Sequence, residues 1–157
     1  MNTNEKLVQR FYSAFQRLDY KTMQDCYDAS ASFTDPAFGT LFGNDVKDMW
    51  EMLSKSAKNF SLTFTPPRSL DEQTVECHWV ANYIFSKTGN PVENRIRAIL
   101  KIQNEKIMEH VDEFDFWRWS RQALGISGTL MGWTHFFHRK VTLSARQGLE
   151  KFKASKE

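Results

Sequence analysis

Between Phe60 and Phe116 the apolar residues recur at every second position, in four stretches separated by turn residues. Phe60, Leu62 and Phe64 alternate with Ser61, Thr63 and Thr65 until Pro66-Pro67 ends the run. Val75, Cys77, Trp79, Ala81, Tyr83 and Phe85 share the face of a longer strand, closed by Thr88-Gly89-Asn90-Pro91. Ile96, Ala98, Leu100 and Ile102 form the next face, with Arg95, Arg97 and Lys101 opposite. After Asn104-Glu105, a last strand from Lys106 to Phe116 sets Met108, His110, Asp112, Phe114 and Phe116 on one side. A period of two means strands, and strands with one apolar face need a cover.

The N-terminal third supplies that cover. Leu7, Phe11, Phe15 and Leu18 recur with helical spacing, and Asn2 or Thr3 can cap the helix. Asp19 can cap a short second helix carrying Met23, Cys26 and Tyr27. Ala31, Phe33 and Asp35 alternate as a short strand that stops at Pro36, with Gly39 in the turn after it. Asn44 is placed to cap a third helix, whose stripe is Val46, Met49, Trp50 and Leu53. The order is α-α-β-α-β-β-β-β. It predicts an α+β fold, a curved antiparallel sheet wrapped around three helices with a cone-shaped cavity between the layers.

Residues 117–157 extend this 1–116 cone as helices of the same domain. Trp117 to Leu124 reads as helical, Gly125, Gly128 and Gly132 interrupt it, and Thr134 caps a last helix with the stripe Phe137, Val141, Ala145, Leu149 and Phe152. A chain of 157 residues holds one domain. Its start has no signal-peptide core, and no run nears the ~20 apolar residues of a membrane span, so a cytoplasmic address is expected. Cys26 and Cys77 lack metal or redox spacing and read as core residues. A net charge of +2 argues against a nucleic-acid surface. Residues 133–157 carry six Lys/Arg against two Glu, but the narrow apolar stripe of the last helix argues for packing and against membrane contact. His78, His110, His135 and His138 make no metal motif, and neither metal nor cofactor is expected.

The aromatic content, 14% of the chain, exceeds what a core of this size needs and suits an apolar cavity. The expected walls are Tyr12, Phe15, Phe33, Trp50, Trp79, Tyr83, Phe114 and Phe116, with Arg97 as a charged candidate beside them. A flat, largely apolar small molecule fits such walls. Asp35, His110 and Asp112 are the ionisable groups on inward registers. Burying them without partners is costly, so they are the candidates for acid/base work.

Several segments resemble the SnoaL-like branch of the nuclear-transport-factor-two-like superfamily, which includes ketosteroid isomerases, polyketide cyclases and limonene epoxide hydrolases. Leu7 to Leu18 with Asp19 resembles its opening helix. Tyr27 to Asp35 followed by Pro36 resembles the isomerase stretch ending in the catalytic Asp-Pro. Lys106 to Asp115 resembles the last-strand signature, and Trp117 to Gly125 the tail of SnoaL-like proteins. The resemblance implies Asp35 as proton-shuttling base, with His110 or Asp112 as proton donor, and a homodimer paired through the sheet. It also marks departures. The isomerases' tyrosine position falls on Phe11 and their protonated acid near Ala98. The Arg-x-Asp pair of the hydrolases is replaced by His78-Trp79-Val80-Ala81-Asn82. The expected activity is therefore cofactor-independent isomerase, cyclase or hydrolase chemistry, with a non-catalytic binding or interaction module as the alternative.

Overall fold

A computed structural model describes residues 1–156. Three helices lie on the concave side of one seven-stranded sheet. The first, α1 (Thr3–Gln16), starts in a reciprocal cap: Asn2 Oδ1 accepts the Glu5 N–H at 2.8 Å, and the Glu5 carboxylate accepts the Asn2 N–H. Its inner face buries Val8, Phe11, Tyr12, Ala14 and Phe15. Asp19 caps α2 (Tyr20–Asp25) through the Thr22 N–H. The third, α3 (Asn44–Ser56), buries Val46, Met49 and Trp50. Asn44 is its first residue, and the cap position belongs to Gly43, whose φ of +58° is left-handed backbone that disfavours a side chain.

The strands are β1 (Tyr27–Asp35), β2 (Gly39–Phe42), β3 (Ser61–Phe64), β4 (Arg68–Ser69), β5 (Thr74–Ile84), β6 (Pro91–Gln103) and β7 (Lys106–Glu113). Their order is β2-β1-β7-β6-β5-β3, with β4 also on β5. The sheet is antiparallel except where β1 meets β7, a parallel pair that corrects the all-antiparallel expectation. The strand β2, the helix α3 and the strands β3 to β6 separate β1 from this partner, so no hairpin rule sets their direction. Breaks in register near residues 27–32 and 101–102 accompany the curvature.

Register organises the concave face in rows. Val75, Leu100, His110, Phe33 and Leu41 are successive partners across β5, β6, β7, β1 and β2. Two residues along, Cys77, Ala98 and Asp112 form the next row. Thr34 pairs with Val111, so one further step brings Asp35 beside Asp112. Arg97 lies one step beyond the second row, on the other side of its strand.

Beyond β7, Asp115 caps α4 (Phe116–Leu124) by accepting the Arg118 N–H, so Phe116 opens a helix rather than closing a strand. The glycines then admit an unexpected short helix, α5 (Ile126–Met131). A Cβ on Gly128 would sit 1.9 Å from the Ser120 carbonyl oxygen, so only glycine allows α5 to approach α4 this closely. Thr134 caps α6 (His135–Ser155) as expected. Arg146 of α6 donates to the carbonyls of Phe38 and Thr40, and Lys153 and Lys156 pair with Asp45 and Asp48 of α3. The expected extension runs to Glu157, which lies outside the described residues. No described helix is long and apolar enough to cross a membrane.

Candidate active site

Asp35 ends β1 at its hairpin with β2. Its Oδ1 accepts the backbone N–H groups of Ala37 (3.0 Å) and Phe38 (2.6 Å), which shapes the turn. Among the described residues its Oδ2 has no hydrogen-bond partner, and it is not among their sealed, unpaired atoms. The residue as a whole is half-buried. Burial of the carboxyl pushes its pKa up to about 7; the Phe38 and Ala37 N–H groups hold it down, and the neighbouring Asp112 carboxyl adds to the rise. One group thus combines a fixed oxygen, a free oxygen and a proton affinity near neutrality.

A second polar assembly lies deeper. His110 is wholly buried. Its Nε2 lies 2.9 Å from Asp112 Oδ1, and its Nδ1 lies 2.6 Å from the Tyr27 hydroxyl. Trp50 Nε1 donates to that same hydroxyl at 2.9 Å. The chain of donors assigns the tautomer: Trp50 gives to Tyr27, Tyr27 gives to Nδ1, and the Nε2 proton goes to Asp112. The Tyr12 hydroxyl approaches Nε2 at 3.5 Å. Burial raises the pKa of both tyrosines well above the ordinary phenol range, with Asp112 contributing. Cys77, in the Asp112 row, is pushed up to about 12 by burial first and Asp112 second, which keeps it a thiol.

The predicted catalytic trio is therefore arranged as a row and its neighbour. Asp35 and Asp112 interact, His110 and Asp112 touch, and Asp35 stands at the rim. Residues two apart on a strand are about 7 Å apart at Cα, and the His110 and Asp112 side chains lean together across that gap.

Of the expected walls, Tyr12, Phe15, Phe33, Trp50 and Trp79 are buried in the cone, packed ring on ring. Trp79 Nε1 is sealed near the Tyr12 hydroxyl, with no acceptor at ordinary hydrogen-bond distance among the described residues. Tyr83 and Phe114 are half-buried, and Tyr83 feels the Asp35 carboxyl. Trp119 Nε1 donates to the Tyr83 hydroxyl at 2.9 Å. Phe116 is stacked on His138 of α6, ring centroids 4.1 Å apart, and His138 Nε2 donates to the Pro36 carbonyl. The C-terminal helices thus pack against the turn that holds Asp35.

Arg97 is corrected. Strand alternation turns it to the outer face of the sheet, where it binds Glu76 at 2.6 Å and Glu113 at 3.2 Å. Arg97 and then Arg68 hold the Glu76 carboxyl down at about 2. An open hollow of about 460 Å³ lies on that outer face, between Thr65, His78 and Arg95. Among the described residues no cluster of His, Cys, Asp and Glu is set to hold a metal ion.

Sequence reasoning missed the polar role of Tyr27 and Trp50. Tyr27 has the same parity as Phe33 and Asp35 on β1, the one sign that its side chain turns inward. Trp50 was expected only as an apolar wall.

Residues 8–110 match the family model described as a SnoaL-like domain. No curated protein matches the chain. Several solved structures share the fold. A hypothetical protein of ketosteroid isomerase-like fold from Catenulispora acidiphila, in complex with trimethylamine, is 17% identical, with a TM-score of 0.66 over 82% of this chain and 96% of that one. An LEH-like epoxide hydrolase of M. tuberculosis is 15% identical, with a TM-score of 0.66 over 82% and 95%. An NTF2-like protein of unknown function from Burkholderia pseudomallei is 16% identical, with a TM-score of 0.67 over 78% and 98%.

Proposed function

We propose that this chain, which belongs to the SnoaL-like domain family, is a cofactor-independent acid/base enzyme acting on a small, largely apolar ligand. Asp35 is the observation that carries the reading: a carboxyl with a pKa of about 7, one oxygen held by two N–H groups and the other free. Such a group is half ionised near neutral pH and can both take and return a proton. In the proposed step Oδ2 takes a proton from an acidic C–H of the ligand. The C–H bond breaks, an O–H bond forms, and the electron pair passes to an adjacent carbonyl. The Asp35 carboxyl, whose free oxygen lets its proton exchange with solvent, then returns a proton at a second carbon or to oxygen.

The reading gives His110 and Asp112 distinct tasks. Asp112, beside Asp35 on the adjacent strand, adds to the proton affinity that burial gives it. His110 holds the Asp112 carboxyl in place through Nε2, backed by Tyr27 and Trp50. Tyr83, Phe114 and Phe116 supply the apolar surroundings. No step in this scheme calls for a metal or an organic cofactor.

A second reading is a non-catalytic small-molecule-binding or interaction module. The ring-on-ring packing of Tyr12, Phe15, Trp50 and Trp79 favours it, because those side chains already occupy the cone.

The test needs no known substrate at the outset. With aspartate carboxyl carbons labelled by ¹³C, one resonance should titrate near pH 7 and vanish in Asp35→Asn. A midpoint near 4 removes the basis of the enzyme reading. The protein is next incubated in D₂O with a panel of cyclic enones and terpenoid ketones. Deuterium entering carbon positions with the native chain, and not with Asp35→Asn, supports catalysis. Binding that survives Asp35→Asn and Asp112→Asn, without exchange, favours the second reading.

A further inference from the structure

Seven of the ten large apolar side chains exposed among the described residues lie between positions 117 and 143. Ile126 is 80% exposed and Trp133 73%. The α5 helix packs on α4 through Gly128 and Gly132, which lie against Ser120, and its other side, with Ile126 and Leu130, has no cover. The expectation against membrane contact weighed the stripe of α6. The exposed apolar groups are instead carried mainly by α5 and the turn that follows it.

The charge of this segment is of one sign. Residues 116–149 contain five Lys/Arg and no Asp or Glu. Arg118 is paired with Glu93, and Arg146 with backbone carbonyls. Arg121, Arg139 and Lys140 make no ion pair among the described residues. Two of these cations lie over exposed rings: the Arg121 guanidinium is 4.2 Å from the Trp117 ring centre, and Lys140 Nζ is 5.4 Å from that of Phe136.

We propose that this face docks on an anionic lipid bilayer, with Ile126, Leu130, Trp133 and Phe136 entering the headgroup boundary and Arg121, Arg139 and Lys140 meeting lipid phosphates. Aromatic rings with cations at their rims suit the polar–apolar boundary of a bilayer. Charge decides against a second copy. A two-fold interface sets the same patch against itself, and here it would oppose cation to cation with no carboxylate from residues 116–149 to pair them. A bilayer of anionic lipid offers the opposite sign across the whole patch. The proposal is independent of the chemistry at Asp35.

The test is co-sedimentation of the full chain with vesicles of phosphatidylglycerol and phosphatidylcholine in equal parts, against vesicles of phosphatidylcholine alone. Binding is expected to the anionic vesicles only, with a blue shift of tryptophan emission. Trp133→Ala should remove most of that shift. Arg139→Ala with Lys140→Ala should weaken partitioning by about thirtyfold at low salt, at about fivefold for each charge near the surface. All three positions are at the surface, and far-UV circular dichroism confirms that the variants fold. Three results overturn the proposal: no binding to anionic vesicles, binding that survives both the Trp133 and the paired cation substitutions, or concentration-dependent self-association lost in Trp133→Ala. Capture of an acidic protein by this face, without vesicle binding, also counts against it.

Discussion

Two carboxyls on adjacent strands of one sheet meet opposite circumstances. Asp112 is sealed in the concave layer with a ring N–H on it, and that ring is held by a hydroxyl that is itself held by an indole. Asp35 stands one strand away at the rim, with one oxygen committed to the turn and the other to nothing in the protein. The deep assembly satisfies its polar groups and gives up access. The rim carboxyl keeps access, and its burial against a second carboxyl makes it hold its proton to a higher pH. Structure and chemistry are thus divided between a sealed assembly around His110 and a rim carboxyl on the adjacent strand, joined through Asp112.

The largest disturbance is expected at the deep row. His110→Ala removes the partner of both the Tyr27 hydroxyl and the Asp112 carboxyl in a sealed interior. It should cost about 3–5 kcal/mol in urea unfolding. A loss below about 1 kcal/mol would show that water already serves these groups and would erase the contrast between the rows.

Asp35→Asn should act in the opposite direction. In the folded chain Asp35 binds its proton more tightly than in the unfolded chain, where an ordinary value near 3.8 applies. Between about pH 4 and 7 the folded state therefore holds the extra proton, and stability falls as pH rises through that window. Above pH 7 the folded state carries the full burden of an ionised, partly buried carboxyl. Removing it should stabilise the protein at pH 8 by on the order of 2 kcal/mol, allowing for the exposed oxygen, and change little at pH 4. Chemical denaturation at the two pH values decides the matter. Equal effects at both would mean that Asp35 titrates like a surface carboxyl.

Tyr27→Phe probes one link of the deep row. It leaves the ring packing intact but takes a proton donor from His110 and an acceptor from Trp50, for an expected loss of about 1–2 kcal/mol. The smallest effect joins the two rows. Asp112→Asn should lower the Asp35 midpoint by less than about one unit, because burial rather than Asp112 is the leading cause of its elevation. A fall of about two units or more would put charge repulsion ahead of burial.

The extent to which this was legible in the sequence follows the range of the interactions. Alternation along Val75–Phe85, Ile96–Ile102 and Lys106–Phe116 is a local signal, and it placed Trp79, Ala98 and Asp112 on the concave side. The caps at Asn2, Asp19 and Thr134 are also local, since each carboxamide, carboxylate or hydroxyl bonds an N–H within three residues. The likeness to SnoaL-like proteins located Asp35 at a turn after a strand, where the structure has it. The parallel pairing of β1 with β7 depends on how distant segments meet, and the Tyr27–His110 bond depends on that pairing across 83 positions. Arg97 was drawn toward the site by its chemistry, against the alternation that turns it outward. The helix α5 was hidden because glycine ordinarily interrupts helices, whereas Gly128 here allows close packing on Ser120.

The bond from His138 to the Pro36 carbonyl spans 102 positions, and the Phe116–His138 stack comes from the same late part of the chain. On a ribosome, Asp35 emerges long before its surroundings do. Until β7 has brought Asp112 alongside and residues 116–146 have fastened α6 to the β1–β2 turn, the surroundings that raise its proton affinity are incomplete. Its near-neutral proton affinity is therefore completed late in biosynthesis, by segments made long after the carboxyl that carries the proposed chemistry.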